Sequence, residues 1–369
     1  MEKMTIDLRM INNSGIGTVI QNLLPYFVKE FDVVGIGDKS ILKNFSWYNN
    51  VKIIESKAAI YSISEQVKLF LKNKESNIFL SPHYNVPVFP IKANKRFVII
   101  HDVYHLAFSN TLSFKQKIYA NFMINRAVKL SDKIFTVSEF SKSEIIKFTK
   151  AKEGDIIVAP NGIDTSKFSH SISLNDELLI QKKYNLPENY ILFVGNFKPH
   201  KNLINLLFAF NKLQDELQDY KLVVVGKKEG LITKDNESEE YLISNPKLFK
   251  KVVFTNYIHP DELNVIYKKA SVFVFPSLYE GFGIPPLEAM ASGCPVVSSD
   301  RASLPEVCGN AAMYINPLDP EDIYKKIKLM ILNKNIRRDF ISKGFSQIHK
   351  FNWEITAKTY LKYLRKGSH

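Results

Sequence analysis

Cysteine is scarce in this chain: 369 residues contain only Cys294 and Cys308, in neither CxxC nor zinc-like spacing. That argues against a disulfide-stapled secreted scaffold and a cysteine-based structural metal site, and it suits a reduced compartment. Long apolar runs are missing too. The opening MEKMTIDLRM lacks the apolar stretch of a secretory signal, and no run elsewhere approaches the ~20 apolar residues of a membrane span. A cytoplasmic protein is expected. The sequence also lacks a helix-turn-helix pattern, a zinc finger, or a basic run interleaved with aromatics, so a nucleic-acid partner is not expected. There is no internal repeat. The one biased segment is the charged Lys227–Glu240 stretch, expected as a surface loop or short helix. The closing Gly367-Ser368-His369 has the look of an expression-tag scar.

What is present points to a large, basic, globular protein. At 45% hydrophobic residues the chain can bury extensive cores, and its length suggests two domains. Lys and Arg outnumber Asp and Glu by 50 to 37, giving +13, which favours anionic partners such as phosphates or an acidic lipid surface. Apolar, β-branched segments recur with helical stretches between them. MTIDLRM, DVVGIG, VKIIE, NIFLS, RFVIIHD, KIFTVS and DIIVAP form one series, and YILFVGN, KLVVVGK, KVVFTN, SVFVFPS, CPVVSSD and AAMYIN form another. Continuous apolar strands alternating with helices, such as Leu203–Leu217 and Asp261–Ala270, predict parallel sheets buried on both faces. The fold class is therefore α/β, with two Rossmann-like domains whose sheets face an interdomain cleft. The expected boundaries are 1–170 and 171–350, with an amphipathic helix over 352–366 packing back on the first domain through Trp353, Ile355, Tyr360, Leu361 and Leu364.

In such sheets the loops after the strands carry the chemistry. SLYEGFGIPPLE, residues 277–288, follows the strand SVFVFPS and combines two acids with two glycines and two prolines. Pro285 and Pro286 suit a helix start and Gly293 its C-terminal end, which places Glu280 in the loop and Glu288 in the first helical turn. A carboxylate accepts two hydroxyl hydrogen bonds and so suits a vicinal diol of a sugar or ribose. Gly281 and Gly283 allow backbone amides to approach a phosphate, as does the helix N-terminus. The loop FVGNFKPHKNL, with Gly195, Asn196, Lys198 and Lys201, brings cations that would neutralise a diphosphate. NNSGIGTVIQNLL sets Gly15, Ile16 and Gly17 between the first strand and its helix, without the third glycine and ribose acid of a dinucleotide fingerprint. His101, with Asp102, ends the strand RFVIIHD. The His101 and His105 pair lacks the intervening acid of a metalloprotease helix, so no metal is read there. Val158–Asp164 has the turn chemistry of an interdomain connection.

The segment YEGFGIPPLEAMASGCPVVSSDRASLPEVCGNAAMYINPLD closely resembles the donor-site region of retaining nucleotide-sugar glycosyltransferases of the GT-B fold, specifically glycosyltransferase family 4. The matching segments span most of the chain and are strongest over 193–319. That family's E-x7-E pattern falls on Glu280 and Glu288. The resemblance implies that Glu280 contacts the donor sugar, Glu288 the ribose and Lys201 the diphosphate. It also implies donor contacts at Gly281, Phe282, Gly283 and Ile284, at Gly195 and at Gly15, Ile16 and Gly17, and a His101 facing the donor sugar. The family often has Arg after the glycine where this chain has Asn196, leaving Lys198 as the substitute cation, without the bidentate fork of Arg.

What the resemblance implies is retaining transfer of a hexose from a nucleotide diphosphate sugar to a glycan or lipid-linked acceptor, His101, Lys201 and Glu280 being the catalytic set. The leaving phosphate itself helps deprotonate the incoming hydroxyl. No D-x-D sequence occurs and no metal or other cofactor is expected. IDLRMINNSGIGT and VGNFKPHKNL look most like bacterial O-antigen mannosyltransferases, which makes GDP-mannose the expected donor. Peripheral attachment to the inner face of the cytoplasmic membrane would follow from the positive charge. The rivals are a sugar-nucleotide 2-epimerase, a PLP phosphorylase, a non-catalytic nucleotide-sugar binding protein and, weakest, an NAD oxidoreductase.

Overall fold

The computed structural model describes residues 1–62, 65–67, 69, 75–169, 172–226 and 235–366. The tag-like tail and residues 227–234 of the charged Lys227–Glu240 stretch lie outside the described residues. The rest of that stretch begins a helix, Asn236–Ser244, capped by Asp235.

The two series of apolar segments form two sheets. The first has seven strands: β1 (Lys3–Asp7), β2 (Asp32–Gly37), β3 (Lys52–Glu55), β4 (Ser76–Ser81), β5 (Ala93–Ile99), β6 (Lys133–Thr136) and β7 (Ile156–Val158), in the order β3-β2-β1-β4-β5-β6-β7. The second has six: β8 (Tyr190–Val194), β9 (Lys221–Val225), β10 (Val252–Asn256), β11 (Val272–Phe275), β12 (Val296–Ser299) and β13 (Ala312–Ile315), in the order β10-β9-β8-β11-β12-β13. Every pairing is parallel. Helices cover both faces, so the central strands β8 and β11 bury nearly every side chain. In each sheet the strand order reverses once, between β1 and β4 and between β8 and β11. Such a switch point opens a crevice at the strands' carboxyl ends.

The helix after β8 runs Leu203–Leu213 rather than to Leu217. Leu203, Leu206, Leu207, Phe210 and Leu213 recur at helical spacing against the sheet, and the chain then curls into turns, with the Gln214 amide donating to Phe210 and Asn211.

The chain divides into two compact units, Met1–Gly162 with Trp353–His369, and Ile163–Asn352. The first division falls earlier than the expected 170/171. The short Ser166–Ser169 helix packs against helices of the second unit, with the Phe168 ring edge-on to Tyr267. The last helix, Trp353–Lys366, sits in the core of the first unit through Trp353, Ala357, Tyr360 and Leu364, and the Tyr360 ring stacks on Phe135 at 4.1 Å. Ile355, expected on that face, is exposed, because it falls outside the i, i+4, i+7, i+11 row.

Candidate active site

In the second unit the loops on either side of the β8/β11 switch point meet. The loop after β8 ends in a single tight turn, Pro199–Lys201, and the one after β11 carries Glu280. Lys201 Nζ lies 2.6 Å from Glu280 Oε1, both side chains mostly buried, and the ammonium also sits 5.4 Å from the centre of the Phe275 ring. An ammonium has three donors, and this contact uses one. The Leu278 amide donates to the His200 carbonyl at 2.8 Å, pinning the two loops backbone to backbone.

Two residues that the sequence did not single out hold this arrangement. Asn202 adopts a left-handed conformation (φ 59, ψ 41), which Asn tolerates better than most residues, and is 2% exposed. Its side-chain amide donates to the carbonyls of Pro276 (3.0 Å) and Pro317 (2.6 Å), tying together the loops that follow β8, β11 and β13. Ser303 stands at the start of the helix Leu304–Cys308. Its hydroxyl makes no cap; it lies 2.9 Å from the Glu280 carbonyl and 2.7 Å from that of Phe282. The Glu280–Phe282 backbone is thus clamped from the loop after β12.

The helix after the β11 loop is Ile284–Ala291, preceded by Gly283 at φ +106 and followed by Gly293 at φ +72. The conformation requires glycine, and a Cβ there would also press on the Leu304 Cδ2 methyl at 2.7 Å. Glu288 is the fifth helical residue, not part of the first turn, because the helix begins at Ile284. Pro285 and Pro286 have no amide hydrogen. The phosphate-binding capacity of this terminus therefore narrows to the Ile284 amide and the Gly281–Gly283 loop amides. The Phe282 ring is buried edge-on against Phe351 at 5.6 Å, which leaves its backbone as the part available to a ligand. Glu288 accepts from the Tyr267 hydroxyl at 3.0 Å, and burial pushes its carboxyl up to about 7. Gly195 packs against Gly226, where a Cβ would meet the Gly195 carbonyl oxygen at 2.1 Å, and Asn196 and Lys198 are half-buried beside it.

In the first unit, Gly15, Ile16 and Gly17 lie inside the helix Ser14–Glu30 rather than in a loop before it. Gly17 is required there, since a Cβ would fall 2.1 Å from the Ile11 carbonyl oxygen; Gly15 faces open space, and Ile16 packs on the core. His101 follows β5. Its Nε2 is 3.0 Å from the Pro82 carbonyl, which needs an N–H there, and burial lowers its pKa, so the ring is neutral with Nδ1 an acceptor.

The β1/β4 switch point holds a buried ion network absent from the sequence reading. Arg9 forks onto Asp7 (Nε to Oδ1, 2.8 Å) and reaches Glu65 Oε1 at 2.6 Å; Asn85 donates to Glu65 and accepts from Tyr119. A cavity of about 10 Å³, room for a single water, is lined by Asp7, Arg9, Ser81, His83 and Asn85. Among the described residues no group of three His, Cys, Asp or Glu side chains is arranged to hold a metal ion.

The model of the family described as "Glycosyl transferases group 1" matches residues 176–347, and that described as "Glycosyltransferase Family 4" matches 56–167. The serotype-specific mannosyltransferase WbdA of Escherichia coli is 31% identical over 244 residues, 65% of this chain and 29% of that protein, so the chain matches under a third of that relative's length. The O-antigen chain mannosyltransferase RfbU of Salmonella typhimurium is 31% identical over 270 residues, 73% of this chain and 69% of that protein. Among solved structures, Anabaena HepE in complex with UDP-glucose superposes with a TM-score of 0.80 at 14% identity, over 99% of this chain and 100% of that one. WaaG, a glycosyltransferase involved in lipopolysaccharide biosynthesis, gives 0.75 at 14% identity, over 98% and 99%. At these identities the structural likeness speaks for the fold alone. With its two parallel-sheet Rossmann domains, the chain belongs to the group 1 glycosyl transferases of glycosyltransferase family 4 and has the GT-B fold.

Proposed function

We propose that this protein is a retaining, metal-independent mannosyltransferase of bacterial surface-polysaccharide synthesis, taking mannose from GDP-mannose to a glycan or lipid-linked acceptor. The observation that carries the proposal is the Lys201–Glu280 pair at the β8/β11 switch point, where a parallel α/β sheet binds its ligand. The named activities of WbdA and RfbU support mannose as the sugar.

In this reading the two ammonium protons of Lys201 not directed at Glu280 meet the diphosphate. Gly281, Gly283 and Ile284 add amides, and the adjacent helix terminus adds its positive dipole end. These groups face the charge that develops on the leaving phosphate as the glycosidic bond lengthens, so they stabilise the transition state more than bound donor. Glu280 takes sugar hydroxyls, with Lys201 holding its carboxylate in one orientation. Glu288 takes the ribose diol as a carboxylate, which obliges a group with a pKa near 7 to lose its proton when donor binds. His101, neutral and with Nδ1 free to accept, takes a sugar hydroxyl, and the segment containing Gly15, Ile16 and Gly17 contacts the donor. Lys198 supplies the second cation in place of the arginine that Asn196 replaces. No cofactor is required.

The test is a thermal-shift screen against GDP-, UDP- and dTDP-sugars, followed by mass spectrometry of products formed with lipid-linked acceptors. Stabilisation by GDP-mannose and a product heavier by one hexose are expected. Stabilisation confined to a non-mannose donor, or conversion of the donor without any acceptor, would overturn the assignment.

A further inference from the structure

We infer that Tyr267 is a positioning residue for the donor: its hydroxyl holds the Glu288 carboxylate in the orientation that meets the nucleotide's ribose diol, which rests on the reading of Glu288 as the ribose acid. Glu288 and Ile284 lie four residues apart, on one face of the helix Ile284–Ala291. A helical turn rises about 5.4 Å, so a diol at Glu288 sits one turn along from the Ile284 amide, and a single nucleotide can reach both. Tyr267 comes from the neighbouring helix, Pro260–Lys269, and its hydroxyl donates to Glu288 Oε2 at 3.0 Å. Glu288 is half-buried and makes no other hydrogen bond among the described residues, so Oε1 is left to a ligand. The phenol is a fixed donor. Its ring is fully buried, edge-on to Phe273 at 5.4 Å and to Phe168 at 6.4 Å. The peptide before it is fixed as well, because the Tyr190 hydroxyl of β8 donates to the Ile266 carbonyl at 2.7 Å.

Packing alone does not ask for this hydroxyl. Phenylalanine would fill the same aromatic cluster, and among the described residues the hydroxyl has no partner but the carboxylate. Burial opposes ionisation of Glu288, and the interactions that favour its charged form are the Tyr267 hydroxyl first and the Lys167 ammonium second. Lys167, on the short helix Ser166–Ser169, is half exposed and shared with Asp164 at 3.8 Å, so it counts for less. Elsewhere on Pro260–Lys269, Glu262 is paired with Lys183, Lys268 and Lys269 with Glu177, and Asp261 with His259. Cys294, beside Tyr267, is pushed up to about 12 and stays neutral. The helices Leu304–Cys308 and Lys334–Ile348 also pack on that of Glu288, but their charged groups, Glu306, Lys334, Arg337, Arg338, Asp339 and Lys343, are not among those that shift it, and β11 and β12 bring none. Without the hydroxyl the ionised carboxylate loses a charge-assisted hydrogen bond, which moves its titration upward by about one unit.

The test is calorimetric titration of GDP-mannose into full-length protein without acceptor, from about pH 6 to about pH 9, for the parent, Tyr267→Phe, Glu288→Gln and the double variant. Tyr267→Phe should bind about tenfold more weakly than the parent at about pH 6 and converge to within about threefold of it at about pH 9, where the carboxylate ionises even without the phenol. In the Glu288→Gln background the same substitution should change Kd by less than about twofold, because no charge is left to hold. Convergence at high pH also establishes that the variant is folded. A tyrosine that serves packing alone gives the same loss at every pH and in both backgrounds. Either of those results, or parent-like binding by Tyr267→Phe at low pH, overturns the inference while Glu288→Gln still binds weakly. If Glu288→Gln binds as the parent does, or the parent ignores GDP-mannose, the reading of Glu288 fails and the inference with it.

Discussion

Replacing Glu288 with Gln separates the two consequences of its burial. The amide oxygen can still accept from the Tyr267 hydroxyl, so the packing is kept and only the charge is lost. The carboxyl is raised from 4.5 to about 7 because burial disfavours its ionised form. At ~1.4 kcal/mol per pKa unit, the native protein carries a penalty of roughly 3 kcal/mol once the group is ionised in both states. The sign is that of a folded pKa above the unfolded one: the penalty is absent below about pH 4.5, grows as pH rises, and is complete above about pH 7. Glu288→Gln should therefore gain roughly 2–3 kcal/mol over the parent between pH 5 and pH 8, measured by denaturant unfolding at both. Donor affinity should move the other way. If only the carboxylate takes the ribose diol, the parent's nucleotide-sugar Kd rises about tenfold per pH unit below 7, and Glu288→Gln binds weakly at every pH. A nucleotide sugar has no phosphate titrating near neutrality, which makes it the appropriate titrant. A variant no more stable than the parent at pH 8, together with donor binding that ignores pH, would refute the reasoning.

Three other substitutions test the scaffold. Ser303→Ala removes the hydroxyl that holds the Glu280 and Phe282 carbonyls; donor affinity should fall by about 1–2 kcal/mol in calorimetric titration, with the unfolding midpoint moving little. Asn202→Ala loses both bonds to the Pro276 and Pro317 carbonyls and puts a less tolerant residue at φ 59, a cost of about 3 kcal/mol visible in the unfolding of the second unit. Arg9→Ala leaves Asp7 and Glu65 buried without their cation and should destabilise the first unit by about 3–5 kcal/mol. In each case wild-type behaviour would contradict the contact described.

The sheets were legible because their central strands are buried on both faces and so appear as short, unbroken apolar runs. Phe273 and Val274 in β11, or Leu192 and Phe193 in β8, leave little room for another reading. Helix ends were less legible. Leu217 continues the apolar pattern of its helix, yet turns beginning at Gln214 end it, and Ile284 enters the helix ahead of the two prolines that seemed to start it. The candidate site was visible only as separate loops. Lys201 and Glu280 are far apart in sequence, and nothing local specifies their contact; it follows from the strand order that makes β8 and β11 neighbours. Asn202, Ser303 and Arg9 stayed hidden because their importance lies in partners brought by other loops. Phe282, a donor contact by resemblance, has its ring packed edge-on against Phe351, a partner that no local pattern announces.

The most direct test of the central claim is turnover and donor affinity measured together for Lys201→Ala. If Lys201 stabilises charge on the departing diphosphate, turnover of the nucleotide sugar falls about 100- to 1,000-fold while donor Kd changes by less than about tenfold. Turnover close to that of the parent, or a loss confined to Kd, would contradict the account.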